Sequence, residues 1–145
     1  MKYSADGVNW KSGPSPFTPT TPVDTTGEKR RVRGVSAPSV KAVVPEDQCI
    51  WAPDVIYYHN KYLLYYSVAA PNKLNHCAIG LLTSPTLDPA SPDYHWTDAG
   101  VVLATWNLVL KKSAIDPGPF VDAKGDLWLT WGSGYANGAT YTDPT

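Results

Sequence analysis

Several features that mark other classes of protein are scarce in this chain of 145 residues. The net charge is only -1, from 12 Lys+Arg against 13 Asp+Glu, so no large field gathers nucleic acid or anionic lipid. No stretch approaches the roughly 18 apolar residues of a membrane-spanning helix. The first ten residues, MKYSADGVNW, lack the apolar stretch of a secretory signal. The sequence therefore predicts no nucleic-acid partner, no membrane partner and no signal peptide in this chain.

Residues that build covalent and metal sites are also few. The two cysteines, Cys49 and Cys77, could form a disulfide or could serve as two small buried side chains. The three histidines are not spaced as metal ligands, and we expect turn or surface positions for His59, His76 and His95. The sequence thus predicts neither a metal site nor a cofactor.

Proline, glycine and large aromatics are abundant instead. The chain has 14 Pro, 11 Gly, 6 Trp and 9 Tyr, against one Met and two Phe. Aromatics suit a pleated, half-buried surface, whereas Pro and Gly interrupt helices and form turns. We therefore predict an all-β fold. The Pro- and Thr-rich segment 12–28 is typical of a connection, and the adjoining basic cluster KRRVR (29–33) of a solvated face.

Runs of strand-forming residues occur at short intervals. Asp6-Gly7 is a tight-turn dipeptide that predicts a hairpin over 3–13. Four further strands are predicted between Asp54 and Thr105, at 54–58, 62–69, 77–84 and 100–105. A short strand after Asp116, a turn at 122–126 and the run LWLTW then repeat the same plan.

This repeat, with Asp54 and Asp116 at the start of equivalent units, is typical of the blades of a β-propeller. A propeller needs roughly 4–8 blades, so we expect one complete blade and parts of two neighbours. The expected divisions are 1–22 for the end of a first blade, 23–48 for a linker, 49–110 for a second blade and 111–145 for the start of a third. A small β-sandwich with coincidental hairpins is the alternative.

Asp54 and Asp116 each stand next to a proline, which restricts the local backbone and so the direction of the carboxylate. Carboxylates gathered at one end of an aromatic-lined channel are what cleavage of a glycosidic bond requires, one to donate a proton and one to activate water or attack carbon. The alternative is that both aspartates only cap strand ends and turns.

Three stretches, WAPDVIYYHNKYLLYYSVA, CAIGLLTSPTLDPASPDYHWTDAGVV and SAIDPGPFVDAKGDLWLTWGS, closely resemble glycoside hydrolase family 43, and within it the endo-α-1,5-L-arabinanases. The resemblance implies a five-bladed propeller that hydrolyses arabinose- or xylose-containing plant polysaccharide with inversion, using three carboxylates, and an extracellular location for the family. It implies that Asp116 raises the pKa of the general acid and orients it. The residues it places near substrate are Trp51, Asp54, Ser113, Ile115 and Tyr135.

The resemblance also locates the family's general base upstream of this chain and its general acid beyond Thr145. Because both have no counterpart here, we expect the chain to be inactive alone. A non-catalytic carbohydrate-binding propeller fragment, with a sugar platform of Trp51, Trp106, Trp128 and Tyr135, is the alternative, and a truncated product without independent function is a third possibility.

Overall fold

The computed structural model describes residues 2–19, 34–45, 49–70, 73–105 and 113–132. These residues are mostly strands, which confirms the all-β prediction. The elements in chain order are β1 (Lys2–Tyr3), β2 (Lys11–Ser12), β3 (Thr18–Pro19), β4 (Gly34–Val35), α1 (Pro38–Val43), β5 (Cys49–Tyr58), β6 (Lys61–Ala70), β7 (Lys73–Ser84), β8 (Thr97–Thr105), β9 (Ile115–Val121) and β10 (Leu127–Gly132). No helix in these ranges is long and apolar enough to cross a membrane.

The largest sheet contains β5 to β8 in chain order, each strand antiparallel to the next. This confirms the four strands predicted between Asp54 and Thr105. The turn between β5 and β6 consists of His59 and Asn60, with φ of 48° and 62°. Two successive positive φ angles define the type I′ turn, whose twist matches that of a hairpin.

The sheet is buried on both faces at its centre. Eight consecutive residues of β6, from Leu63 to Ala70, are buried. Because successive side chains of a strand point to opposite faces, a run of this kind requires cover on both sides of the sheet. One face presents Leu64, Tyr66 and Val68, and the other presents Leu63 and Tyr65.

Helix α1 covers the first face. Val40 and Val44 are fully buried there and pack in one cluster with Tyr66. The space for the helix comes from Gly80, since a Cβ added at this position would lie 2.5 Å from side-chain atoms of both Tyr66 and Val40. The ring of Phe17 adds an edge contact to Tyr66, with centroids 4.8 Å apart.

Asp98 of β8 caps the start of α1. Its carboxylate accepts the Ser39 N–H at 2.9 Å, the Ser39 hydroxyl at 2.7 Å and the Gly100 N–H at 3.0 Å. Burial raises the pKa of Asp98, but these hydrogen bonds outweigh it and hold the pKa below its usual value. The helix lies within the predicted linker 23–48, and the sequence analysis did not anticipate it, because its cap is supplied by a residue that is distant in sequence.

The hairpin of β9 and β10 covers the second face. Leu127, Leu129 and Ala114 pack against the cluster that contains Leu63 and Ile79. This hairpin forms a separate two-stranded sheet, as the repeat predicted. Its turn is closed by Asp122, whose carboxylate accepts the N–H groups of Lys124 and Asp126.

A smaller hairpin pairs β1 with β2, as predicted from Asp6-Gly7. The Asp6 carboxylate accepts the N–H groups of Val8 and Asn9 at 2.9 and 2.7 Å. These bonds hold the pKa of Asp6 well below its usual range, and the bond from the Asn9 backbone has the largest effect. Asp6 is therefore a structural turn residue.

The register excludes a disulfide between Cys49 and Cys77. Cys49 pairs with Ala69 on one side, and Cys77 pairs with Ala69 on the other. Two strand spacings separate their Cα atoms by about 10 Å, whereas a disulfide needs a separation below about 7 Å.

We predict that Gly80→Ala destabilises the protein by about 1–3 kcal/mol, because the new methyl group meets Tyr66 and Val40 inside a packed layer. Urea unfolding followed by tryptophan fluorescence measures the change. Gly13→Ala is the control, since its Cβ approaches only the exposed ring of Tyr3, at 3.1 Å. Equal losses in the two variants would contradict the close packing of α1 on the sheet.

We also predict that Asp98→Asn costs about 0.5–2 kcal/mol near neutral pH, because both carboxylate oxygens accept hydrogen bonds and the amide replaces one of them with an NH2 group that cannot accept. Because the folded pKa of Asp98 is lowered, its contribution is complete above the unfolded pKa of about 3.9 and is lost as the pH falls through the folded value. The stability gap between wild type and Asp98→Asn should therefore narrow below about pH 4. Asp93→Asn, at an exposed loop position, serves as control, and a gap that widens in acid would refute the cap.

Candidate active site

The starts of β5 and β9 share an unusual backbone. In β5 the pairing passes from Trp51 opposite Ser67 to Asp54 opposite Tyr65, which places one extra residue in β5. In β9 it passes from Ile115 opposite Gly132 to Gly118 opposite Thr130, again with one extra residue. Each strand therefore carries a β-bulge, a feature that redirects side chains and is common beside functional sites.

The two bulges also share a left-handed residue followed by proline. Ala52, with φ of 38°, precedes Pro53, and Asp116, with φ of 52°, precedes Pro117. When β5 and β9 are aligned on their bulges, Asp116 corresponds to Ala52, and Asp54 corresponds to Gly118. The prediction that Asp54 and Asp116 occupy equivalent positions is therefore wrong by two residues.

The prediction is wrong because the two aspartates lie on opposite sides of their prolines. Asp54 follows Pro53, but Asp116 precedes Pro117. Strand β5 also begins at Cys49, well before Asp54. Sequence alone shows an aspartate beside a proline in both units, whereas the register shows which residue occupies the bulge.

The two bulges lie at the same end of neighbouring strands. At that end the Asp116 N–H donates to the Oγ of Ser67, which is the residue opposite Trp51. At the other end the Tyr58 hydroxyl donates to the Gly125 carbonyl at 3.2 Å. Strands β5 and β9 therefore run side by side in the same direction.

The backbone of Asp116 is held in place by its surroundings, whereas its side chain is exposed to solvent. Its N–H donates to Ser67 Oγ at 2.8 Å, and Pro117 behind it is buried. Its Oδ2 lies 3.4 Å from the place that a Cβ on Gly132 would occupy, so the carboxylate lies over a position without a side chain. This arrangement holds the backbone of Asp116 and leaves its carboxylate exposed to solvent.

The other predicted site residues differ in their surroundings. Trp51 and Ile115 occupy matching bulge positions and pack against the same apolar cluster. Asp54 is exposed, and its Oδ1 accepts the Val55 N–H at 2.8 Å. Tyr135 lies outside the described residues.

Ser113 lies in the contact between the two sheets, with 1% of its surface exposed. Burial raises the pKa of the Cys77 thiol, and hydrogen bonds from the Ala114 backbone and the Ser113 side chain offset this only in part. Cys77 is therefore protonated near neutral pH and is not a nucleophile. Substrate binding by Ser113 stays a prediction.

The structure does not bring together the described members of the alternative sugar platform. Trp51 lies beside the bulge of β5, whereas Trp128 lies near the turn of the hairpin, where its Nε1 donates to Asp122 Oδ2 at 2.9 Å. Trp106 and Tyr135 lie outside the described residues, as does the basic cluster 29–33. Among the residues that are described, no group of three or more His, Cys, Asp or Glu side chains could hold a metal ion.

Ser67 is the residue of this site that the sequence analysis missed. The other buried residues of β6 are all aliphatic or aromatic, and Ser67 is the single serine among them. Ser67 is also fully buried. A lone serine in such a run is a signal for a specific hydrogen bond, because a buried hydroxyl without a partner is costly.

Comparison with known proteins identifies the family of this chain. The family model described as glycosyl hydrolases family 43 matches residues 1–143. The chain is 36% identical over 137 residues to the extracellular exo-alpha-(1->5)-L-arabinofuranosidase of Cellvibrio japonicus, covering 90% of this chain and 33% of that protein. Similarity to the structure of the Cellvibrio cellulosa alpha-L-arabinanase has a TM-score of 0.69 at 34% identity, covering 88% of this chain and 36% of that one. The same arabinanase in complex with arabinohexaose matches with a TM-score of 0.68 at 32% identity, covering 88% and 36%.

The Asp116 carboxylate is exposed at the start of β9, where this strand meets the neighbouring sheet. The chain belongs to glycosyl hydrolase family 43 and is similar to its arabinanases. It spans about a third of the length of the relatives that it matches.

The left-handed backbone of Asp116 leads to a prediction about stability. Asp116→Gly should be more stable than Asp116→Ala by about 1–2 kcal/mol, because glycine adopts positive φ without the clash of a Cβ. Both variants lack the carboxylate, so the difference isolates the backbone.

Asp54 provides the matched control, since it lies outside the positive-φ residues. There the order should reverse, with Gly less stable than Ala by about 0.5–1 kcal/mol. Thermal unfolding of the four variants gives both differences, and the same order at the two positions would contradict the assigned bulge.

Proposed function

We propose that this chain is part of a glycosidase of the arabinanase and xylosidase type, which acts on arabinose- or xylose-containing plant polysaccharide with inversion. The observation that carries the proposal is the Asp116 carboxylate, exposed at the start of β9 on a bulge whose backbone is held by the neighbouring sheet. Such a fixed carboxylate can act on another group by its charge without being consumed.

The architecture that we propose is a partial five-bladed propeller. In it, β5 to β8 form a complete blade, while β1 with β2 and β9 with β10 belong to its neighbours. Two features support this over a sandwich. The strands of the large sheet follow one another in chain order, and β5 and β9 run side by side in the same direction. A propeller places the first strand of each blade next to the central channel.

In the proposed mechanism, the Asp116 carboxylate lies beside a separate general acid. A nearby negative charge disfavours ionisation of that acid and so keeps its proton available for the leaving oxygen. A second carboxylate activates water on the opposite face of the sugar, which gives inversion. We propose that both of these groups belong to parts of the protein other than these 145 residues, and that the 145 residues alone do not hydrolyse substrate.

Arabinan is the substrate that the relatives favour. One relative is named as an arabinofuranosidase, and the arabinanase structure similar to this chain was solved with arabinohexaose. Trp51, Asp54 and Ile115 flank the bulges at the end where Asp116 is exposed, which suits contacts to a sugar. We also propose an extracellular location, which is supported by a relative that is named extracellular.

We predict that the purified chain leaves arabinan, debranched arabinan and aryl arabinofuranosides uncut. Grafting residues 1–143 in place of the matching third of the Cellvibrio japonicus arabinofuranosidase should give an enzyme that inverts the anomeric centre, as followed by NMR of the released sugar. Asp116→Asn in that enzyme should lower kcat by about 10²–10⁴-fold with a much smaller effect on KM.

The matched control for this substitution is Asp54→Asn at the other bulge, which should change KM more than kcat. Hydrolysis by the short chain would overturn the assignment of the missing groups. A grafted enzyme that is indifferent to Asp116→Asn would remove Asp116 from the catalytic set.

A further inference from the structure

The bulge of β9 leaves one backbone donor without a partner in its own sheet. Ile115 and Gly118 are the residues paired with β10 on either side of the bulge, so Asp116 and Pro117 lie between paired positions. Proline has no N–H, and the Asp116 N–H is therefore the donor that the ladder does not satisfy. A buried or half-buried N–H of this kind needs another acceptor.

Ser67 of the neighbouring sheet supplies that acceptor. Its Oγ lies 2.8 Å from the Asp116 nitrogen, and its side chain has 0% exposure. Water therefore cannot replace the serine without a change in the packing of the two sheets. Its neighbours across the sheet are Trp51 on β5 and Ile79 on β7, so it has a fixed place between apolar residues.

The hydrogen bond falls on the residue whose backbone is strained. A non-glycine residue at φ of 52° persists only when its surroundings enforce that conformation. The enforcing contacts are the buried Pro117 behind Asp116, the packed side chain of Ile115 before it, and the hydroxyl of Ser67 at its N–H. Of these three, Ser67 is the one that reaches Asp116 from another sheet, through a hydrogen bond to its backbone nitrogen.

We propose that Ser67 is a positioning residue, which holds Asp116 in the left-handed conformation that points its carboxylate over Gly132. The effect of Ser67 on catalysis rests on the function proposed above, whereas its effect on the conformation of Asp116 does not depend on that function. Ser67→Ala removes the acceptor, leaves the Asp116 N–H unsatisfied and frees the bulge to relax toward ordinary strand geometry. The carboxylate then loses its fixed direction, and a misplacement of about 1 Å can cost about 100-fold in rate.

The test uses the 145-residue chain labelled with 15N and 13C, and it needs no hydrolysis. Two NMR quantities are measured at Asp116: the hydrogen-exchange rate of its amide and its Cα and Cβ chemical shifts, which report φ. In the wild type we expect a protected amide and left-handed shifts. In Ser67→Ala we expect exchange about tenfold faster or more, with shifts that move toward extended values. Ser67→Thr keeps the hydroxyl and should keep the wild-type shifts.

Ser36→Ala is the matched control. The Ser36 hydroxyl is also buried, with 3% of the residue exposed, and its Oγ has no hydrogen-bond partner among the residues that the structure describes. Its removal should leave both Asp116 signals unchanged.

Two results would overturn the proposal. One is a wild-type Asp116 amide that exchanges as fast as an exposed turn amide such as that of Asn60. This measurement is made on the wild type and does not depend on the folding of any variant. The other is a Ser67→Ala protein whose Asp116 shifts match the wild type. Failure of the proposed function shows separately, as a grafted enzyme that is indifferent to Asp116→Asn.

Discussion

The burial of β6 and β7 on both faces is the constraint on which the rest of the structure depends. Eight successive residues of β6 are buried, and Cys77 to Gly80 of β7 are buried beside them. A sheet with apolar side chains on both faces is stable only when two other elements cover it. Helix α1 covers one face and the hairpin of β9 and β10 covers the other.

The same constraint places the candidate site. Because Ala114, Leu127 and Leu129 must pack on the second face, the start of β9 lies beside Ser67, at the end where β5 has its own bulge. The strained conformation of Asp116 is thus maintained by contacts of the hairpin with its neighbour. Stability and the proposed function are linked at this point, since the residue that carries the proposed catalytic carboxylate has a backbone conformation better suited to glycine.

The strands and the family could be predicted from the sequence because they depend on local signals. Alternating apolar runs, the turns at Asp6-Gly7 and at 122–126, and the composition of Pro, Gly and aromatics all act over a few residues. Asp116 was found in the same way, through its place before a proline and through the resemblance of its surroundings.

Three features could not be predicted, because each depends on residues that are distant in sequence. Helix α1 has only six residues and is capped by Asp98 from β8. The equivalence of Asp116 with Ala52 depends on the strand register. A one-residue bulge shifts that register but does not change the amino-acid composition of the strand. The contact of Ser67 with Asp116 joins two sheets across 49 positions of sequence.

The central claim is that the hairpin of β9 and β10 packs on the face of the sheet that carries Leu63 and Ile79. Methyl NOE spectroscopy of the 145-residue chain tests it most directly through the methyl group of Ala114. The account predicts NOEs from this methyl to the side chains of Cys77 and Ile79, which belong to the same buried cluster. Absence of these NOEs, or NOEs from Ala114 to Val40 and Val68 on the opposite face, would contradict the packing that holds Asp116 in place.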